Sequence, residues 1–380
     1  MKKITKYFII VIICVAFIGI TIPFTLIGFK RTSNTPSHVR IYVNSTIYNS
    51  LSTEISQYCQ DVIDQGYSLE TVNWSINNVT ALRNDLINAS NQPQGLEGAV
   101  LIGDLPSAMM QYYYISWRNY PIDLYLTDLD GEWVDIDPSD DLFDAHNVGT
   151  GDIYPEIWIG RICPESLNNT GHLTAYRNYF ARNHDYRTGQ LSRPHSQLVY
   201  IDDDWATTQQ LVDEWLGDMT AYNNLTCFSI PTTITTAADY KNRLTHIYEF
   251  VHVFVHSWPY EHLFGPGGYG AEGKVTYTDI LNIDTQALFY NLFACSATNF
   301  EYRNNLGTQY LFSNNTLVVV VGSSKTGGMT MNSYFYTPLS QGKNFGESMR
   351  LWYWNPLHGP SDPDSMGMTL LGDPLLTILM

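Results

Sequence analysis

Short apolar runs alternate with stretches of helical spacing along the chain from residue 39 onward. Several of the runs are apolar throughout, as expected for strands buried on both faces of a parallel sheet. The predicted strands are Val39–Val43, Ala99–Ile102, Ile157–Ile159, Leu198–Ile201, Phe250–Val255, Leu288–Phe293 and Leu317–Val321.

The segments between these runs place apolar residues on one side of a helix. In the first segment, for example, Ile55, Tyr58 and Val62 recur every three or four residues. Alternation of strands and helices predicts a doubly wound α/β fold, in which ligands bind beyond the carboxyl ends of the strands. The predicted helices are Tyr48–Gln65, Asn78–Asn88, Thr207–Trp215, Tyr302–Phe312 and Gly346–Trp354.

The N-terminus differs from the rest of the chain. Residues 8–29 are almost entirely apolar and follow three lysines. About 20 apolar residues span a bilayer, whereas the apolar part of a signal peptide has about 7–15. We therefore predict a signal anchor over 1–31, with a cleaved signal peptide as the alternative. A polar linker at 32–38 would then join it to one folded domain, 39–380. This domain would be extracellular on a single-pass membrane protein, or secreted if the signal is cleaved.

Composition excludes two classes of protein. The 380 residues include 20 Lys and Arg against 37 Asp and Glu, a formal net charge of -17. A nucleic-acid partner is excluded, because phosphate binding needs a basic surface. The five cysteines are too few for a disulfide scaffold.

Two predicted strands end in reactive side chains. His256 follows the strand Phe250–Val255, and Cys295 follows the strand Leu288–Phe293. Adjacent parallel strands would bring both side chains to one edge of the sheet, where a thiolate and an imidazole form a catalytic dyad. The alternative is a buried structural cysteine and a hydrogen-bonded histidine. His262, predicted to lie in a loop, is the reserve candidate for the histidine.

The blocks around these residues resemble the gingipain family of cysteine peptidases, which belongs with the caspases. The blocks, in family order, are Val100–Asp104, Ile122–Gly131, Tyr154–Arg161, Phe254–Trp258, Phe293–Phe300, Val318–Ser324 and Leu371–Pro374. The resemblance implies a caspase/gingipain-like three-layer sandwich with a mostly parallel central sheet, preceded here by the N-terminal membrane-spanning helix. Residues 39–380 are then a gingipain-like peptidase domain.

The resemblance also assigns roles to individual residues. Cys295 would be the nucleophile and His256 the general acid and base. The backbone N–H groups of Ser257 and Cys295 would form the oxyanion hole. The family normally has glycine after the histidine, so Ser257 would strain the backbone if that position required a positive φ. Asp123 matches a family aspartate that either orients the histidine or lines the specificity pocket.

Acidic residues are concentrated after Asp123. Asp128, Asp130, Glu132 and Asp135 offer the hard oxygen ligands that Ca²⁺ prefers. Calcium is therefore the predicted ion, with a solvated acidic loop as the alternative. No organic cofactor is expected.

The sequence predicts a cell-surface cysteine endopeptidase that acts on protein or peptide substrates. Membrane attachment would be through residues 8–29, and the sequence does not indicate an oligomeric state. The alternative is a catalytically impaired gingipain-like surface module that binds calcium or a protein partner.

Overall fold

The computed structural model describes residues 36–114, 116–168, 171–229, 235–283, 285–312, 318–327, 333–355 and 359–378. The predicted signal anchor or signal peptide at 1–31, with its apolar residues 8–29, lies outside these ranges, as does most of the predicted linker. Within these ranges, every helix is too short or too polar to cross a bilayer.

Eighteen strands lie within the described ranges. They are β1 His38–Asn44, β2 Ser68–Trp74, β3 Gly98–Ile102, β4 Met109–Tyr114, β5 Ser116–Pro121, β6 Glu132–Val134, β7 Leu142–Phe143, β8 Ala145–Asn147, β9 Trp158–Ile162, β10 Gln197–Ile201, β11 Leu225–Ser229, β12 Phe250–Phe254, β13 His256–Trp258, β14 Glu261–Leu263, β15 Lys274–Thr276, β16 Phe289–Phe293, β17 Val319–Ser323 and β18 Met368–Gly372.

Eleven α-helices lie within the same ranges. They are α1 Ser45–Tyr48, α2 Ser52–Asp64, α3 Val79–Ser90, α4 Leu124–Thr127, α5 His172–Arg187, α6 Gln209–Gly217, α7 Ala237–Arg243, α8 Tyr277–Asn282, α9 Leu306–Phe312, α10 Ser333–Ser340 and α11 Phe345–Trp352.

Ten of the strands form one sheet, in the order β11-β10-β12-β16-β17-β18-β9-β3-β1-β2. The five strands from β11 to β17 are parallel to one another, and so are the five from β18 to β2. The two halves meet at β17 and β18, which are antiparallel. The prediction of a mostly parallel sheet is therefore confirmed, with one reversal that the apolar runs do not show.

Helices cover both faces of this sheet, which gives the predicted three layers. On one face, helices including α3 and α11 bury Leu82, Leu86 and Trp352 against the strands. On the other face, helices including α2 and α9 bury Tyr58 and Tyr310. Strands β3, β9, β10, β12 and β17 are buried along their whole length. Burial on both faces explains why these strands are mostly apolar and do not alternate between apolar and polar residues.

Strands β12 and β16 are parallel neighbours, with Phe254 paired to Phe293 at their carboxyl ends. A small antiparallel sheet, β13-β14-β15, follows β12 directly. The chain returns to the large sheet through α8, whose first turn is closed by a capping box between Thr276 and Asp279. This connection places the segments after Phe254 and Phe293 side by side, at one edge of the sheet.

Candidate active site

His256 is the first residue of β13 and is held on three sides. One ring nitrogen, Nε2, lies 2.7 Å from Oδ2 of Asp204. The ring of Trp205 lies against the imidazole, with 4.5 Å between the ring centroids. The backbone of Gly268 also approaches the ring, because a Cβ at that position would lie only 2.7 Å from Cγ of His256. Glycine is required there, since Gly268 also has a φ of +71°.

Asp204 lies in the turn that follows β10, the strand beside β12. Its Oδ2 also accepts a hydrogen bond from the backbone N–H of Gly267, at 2.8 Å. The carboxylate is thus fixed by the loop that contains Gly268 while it contacts the imidazole. A carboxylate in this position selects the tautomer of the histidine, which leaves Nδ1 as the nitrogen available to a reacting group.

Cys295 lies two residues after β16 and contacts the segment of His256. The Ser257 hydroxyl donates a hydrogen bond to the carbonyl of Cys295. The backbone N–H of Val255 donates to the carbonyl of Phe293 at 3.2 Å. The structure therefore places the segment after β16, which contains Cys295, beside the segment that begins at His256.

The sulfur of Cys295 lies in a largely enclosed site. The backbone N–H of Gly327 points at Sγ from 3.5 Å. Burial raises the pKa of Cys295, as does the carboxylate of Asp364. The N–H of Gly327 and the positive charge of Lys325 act in the opposite direction, because both stabilise a thiolate. The segment after β17 thus sets the electrostatic environment of the sulfur.

Ser296, which follows Cys295, has a strained backbone conformation, whereas Ser257, which follows His256, does not. Ser296 has a φ of +57°, and its N–H donates to the carbonyl of Lys325 at 2.6 Å. Ser257 lies within the extended strand β13, and the described non-glycine residues with positive φ are Asp141, Ser296 and Asn304. Ser257, which replaces the glycine that the family normally has after the histidine, therefore does not need a left-handed backbone conformation. The backbone strain that the family resemblance suggested is not found at this residue.

Asp123 is buried and forms an ion pair with buried Arg161. Both Nε and Nη2 of Arg161 lie 2.8 Å from Oδ1 of Asp123. The guanidinium of Arg161 also lies 4.5 Å from the ring centre of Phe300, in the loop that begins at Cys295. Arg161 thus connects Asp123 to the loop that begins at Cys295, whereas the carboxylate in contact with His256 is that of Asp204. The two roles predicted for Asp123 remain predictions.

His262, the reserve candidate, lies in strand β14 rather than in a loop. Its side chain is fully buried, and both ring nitrogens are without a hydrogen-bond partner among the described residues. Burial lowers the pKa of His262 to about 3. A neutral, enclosed imidazole of this kind is a packing residue.

The predicted calcium residues are only partly assembled. Carboxylate oxygens of Asp128, Asp130 and Glu156 lie within 4.8 Å of one another. Glu132 instead accepts a hydrogen bond from Asn147. Burial raises the pKa of Glu156 to about 7, and the neighbouring carboxylates add to this effect. The group offers hard oxygen ligands with repelling charges, which fits a divalent cation.

Asp135, the fourth predicted ligand, lies outside this group, and one of its oxygens is buried without a hydrogen-bond partner among the described residues. A second group combines Asp202, Asp203 and Glu272 near the turn of Asp204. Burial raises the pKa of Asp202 to about 7. Asp204 is a site residue that the sequence reasoning did not single out, although it belongs to the three aspartates that follow the apolar run Leu198–Ile201.

The four described cysteines, Cys59, Cys163, Cys227 and Cys295, are all free thiols. The remaining cysteine, Cys14, lies outside the described residues. Among the described residues, the thiol of Cys295 therefore forms no disulfide.

The family model of peptidase family C25 matches residues 48–379 of the chain. The chain belongs to peptidase family C25. This is the gingipain family, as the sequence blocks around His256 and Cys295 indicate, and membership makes the chain a cysteine peptidase, a hydrolase that acts on protein or peptide substrates.

Two solved structures share the fold of this chain. One is titled as the Arg specific cysteine proteinase gingipain R and the other as a protease. Each is 12% identical, with a TM-score of 0.61, and the match covers 91% of this chain and 79% of the other. No curated protein sequence matches the chain. At this identity the likeness supports the mixed α/β fold.

Proposed function

We propose that the protein is a cysteine endopeptidase whose catalytic dyad consists of Cys295 and His256. The observation that carries the proposal is their placement after the adjacent parallel strands β16 and β12, with the Ser257 hydroxyl bonded to the Cys295 carbonyl. The dyad is the simplest arrangement for acyl transfer, since it needs one nucleophile and one proton carrier.

The reaction would proceed in two stages. The Cys295 thiolate attacks the peptide carbonyl carbon and forms a tetrahedral oxyanion. The C–N bond then breaks, and His256 gives its proton to the leaving amine. In the second stage His256 takes a proton from water, the hydroxide attacks the thioester carbonyl, and the C–S bond breaks. The carboxylic acid is released and the Cys295 sulfur leaves as the thiolate, so that thiolate and imidazolium are restored for the next cycle.

Asp204 and the backbone would support these steps. The Asp204 carboxylate on Nε2 stabilises the imidazolium and leaves Nδ1 to move the proton. The N–H groups of Ser257 and Cys295 are the proposed oxyanion donors, each expected to accelerate the reaction by roughly 100- to 1000-fold. Because Ser257 lies in an extended strand, the backbone reason for an impaired enzyme is absent.

We propose calcium as a structural ion at Asp128, Asp130 and Glu156. This assignment keeps two of the four ligands proposed from sequence and adds Glu156. We also propose attachment to the cell membrane through residues 8–29, with the peptidase domain outside the cell, or secretion after signal cleavage. The apolar composition of residues 8–29 supports this location.

The test is hydrolysis of an internally quenched protein substrate by the purified protein. Cys295→Ala and His256→Ala are expected to abolish hydrolysis, and mass spectrometry of the products is expected to show internal cleavage. Cys227→Ala is the matched control, because it removes a free thiol from edge strand β11. Hydrolysis that persists in Cys295→Ala would contradict the proposal.

A further inference from the structure

Trp258 lies on the same face of the small sheet β13-β14-β15 as His256. Side chains alternate along a strand, so the first and third residues of β13 point one way and Ser257 points the other. Ser257 lies opposite His262, which lies opposite Val275, and all three side chains are buried. The side chains of His256 and Trp258, by contrast, are 32% and 44% exposed. Both therefore occupy the side of β13 that is open to solvent.

The ring of Trp258 is held in place without being covered. The guanidinium of Arg118, on strand β5, lies 5.8 Å from the centre of the ring. A cation at this distance is attracted to the face of an indole and orients it. Two residues of an extended strand rise by about 6.6 Å, so Trp258 follows His256 at the spacing of two residues of an extended peptide.

The exposed aromatic surface continues beyond Trp258. Tyr260, in the turn after β13, stacks on Tyr302 from the loop that follows β16, with 5.8 Å between the ring centres. Both rings are exposed. The turn is fixed to the same loop, because the carbonyl of Pro259 accepts a hydrogen bond from the backbone N–H of Leu306 at 2.7 Å. We call Trp258, Tyr260 and Tyr302 the aromatic track.

The leaving amine of a substrate must lie beside His256. To give up its proton, the imidazole must come within about 2.6–3.2 Å of that nitrogen. Asp204, Trp205 and Gly268 already occupy three sides of the ring. The part of the substrate that follows the cleaved bond therefore begins at the imidazole and leaves by the open face, where Trp258 is the next exposed side chain of β13.

We propose that Trp258 determines specificity on the leaving-group side, by binding a large apolar or aromatic side chain at one of the first two residues after the cleaved bond, called P1′ and P2′. This inference rests on the proposed function and adds its substrate class. Contact with the indole removes apolar surface of both side chains from water, and a second aromatic ring gains further from the ring–ring contact. Tyr260 and Tyr302 extend the same surface to later residues of the substrate.

The first experiment is a scan with internally quenched peptides that differ only at P1′ or at P2′, varied one at a time. At one of these positions, the wild type is expected to cleave peptides with Phe or Leu at least about tenfold better in kcat/KM than the peptide with Gly. Trp258→Ala is expected to reduce this preference to less than about threefold while it still cleaves the Gly peptide, whereas Trp258→Phe keeps most of the preference. Trp354→Ala is the matched control, because Trp354 is 47% exposed and stacks on Tyr154 instead, and it should leave the profile unchanged.

A second measurement does not depend on peptide cleavage. The inactive variant Cys295→Ala is expected to bind the preferred peptide at least about fivefold more tightly than the Gly peptide, measured by fluorescence anisotropy of labelled peptides. The double variant with Trp258→Ala is expected to bind both peptides equally. Equal affinities of the two peptides for Cys295→Ala would overturn the role of Trp258.

The outcomes separate the two proposals. Absence of cleavage of all peptides would contradict the proposed function, and the binding experiment would still decide on Trp258. A wild type that cleaves without preference at P1′ and P2′ would overturn the inference while confirming the peptidase, and so would a preference that persists in Trp258→Ala. The wild-type scan alone decides the first of these points, even if Trp258→Ala fails to fold.

Discussion

The contact between Asp204 and His256 gives the sharpest test of the site geometry. Substitution Asp204→Asn removes the negative charge from the partner of Nε2 and leaves a side chain of the same size. An asparagine amide that donates to Nε2 would force the proton onto Nδ1, the nitrogen that must receive it during catalysis. The wrong tautomer, rather than a changed backbone, would then limit the rate.

The size of the effect follows from the exposure of the pair. A fully buried triad aspartate costs about 10,000-fold in kcat when it is replaced by asparagine. The side chains of His256 and Asp204 are 32% and 37% exposed, so solvent screens part of the interaction. A charge-assisted hydrogen bond contributes roughly 1.5–3 kcal/mol, which converts to about 10- to 140-fold. We expect a loss of this size in kcat/KM, mainly in kcat.

The assay is steady-state hydrolysis of the best peptide substrate, with circular dichroism to verify folding. Asp203→Asn is the matched control, because it removes the same charge one residue earlier in the same turn. It is expected to retain kcat/KM within about threefold. Equal losses in Asp203→Asn and Asp204→Asn would refute the specific contact and indicate a general electrostatic effect. An unchanged Asp204→Asn would refute the role of Asp204 altogether.

Three further predictions concern strain, pH and calcium. Ser257→Gly is expected to lower kcat/KM or leave it unchanged, because Ser257 lies in extended backbone and its hydroxyl donates to the Cys295 carbonyl; a gain of tenfold would show that serine impairs the enzyme. Burial lowers the pKa of His262 in the folded protein to about 3. The neutral histidine therefore favours the folded state fully above pH 6.5, and this stability is lost as the pH falls from 6.5 towards 3. Between pH 7.5 and 5 this loss is roughly 2 kcal/mol. The substitution His262→Phe should remove this part of the pH dependence from the free energy of unfolding, measured in urea. An unchanged pH dependence in the variant would contradict this assignment. Calcium is expected to raise the melting temperature more at pH 8 than at pH 6, because Glu156, with a pKa of about 7, must be ionised to bind; equal shifts in wild type and Asp130→Asn would exclude the site.

The strands that carry the site were predictable because they are buried on both faces. Strands β12 and β16 are apolar runs in the sequence, and their reactive residues follow directly. Strand β2 was not predicted, since Ser68–Trp74 lies at the edge of the sheet and is polar and only partly buried. Its backbone pairs with β1 along seven residues, a contribution that side-chain patterns do not report.

Helix α5 was missed for a related reason. It buries mainly aromatic residues together with Arg182 and Asn183, and Ala175 is its one buried aliphatic residue. Asn183 and Arg187 both bond to Oδ2 of Asp373, after β18, and Tyr58 of α2 donates to Oδ1 at 2.8 Å. A helix held by a buried polar network lacks the hydrophobic periodicity on which sequence prediction depends.

The residues that contact the proposed dyad could not be predicted from the sequence, for a topological reason. Asp204 contacts His256 because β10 and β12 are neighbours, although 52 positions separate the two residues. Lys325 reaches the sulfur's surroundings from β17, the strand on the other side of β16. Glu156 joins Asp128 and Asp130 from a separate segment. Each contact depends on strand order, which the apolar runs leave open.

The most direct test of the central claim is covalent labelling of the nucleophile. The purified protein is treated with a peptidyl acyloxymethyl ketone, and the modified residue is identified by mass spectrometry. The account predicts one label, on Cys295, that is lost in Cys295→Ala and strongly reduced in His256→Ala, while Cys227→Ala labels normally. Equal labelling of the wild type and Cys295→Ala would contradict the assignment of Cys295 as the catalytic nucleophile.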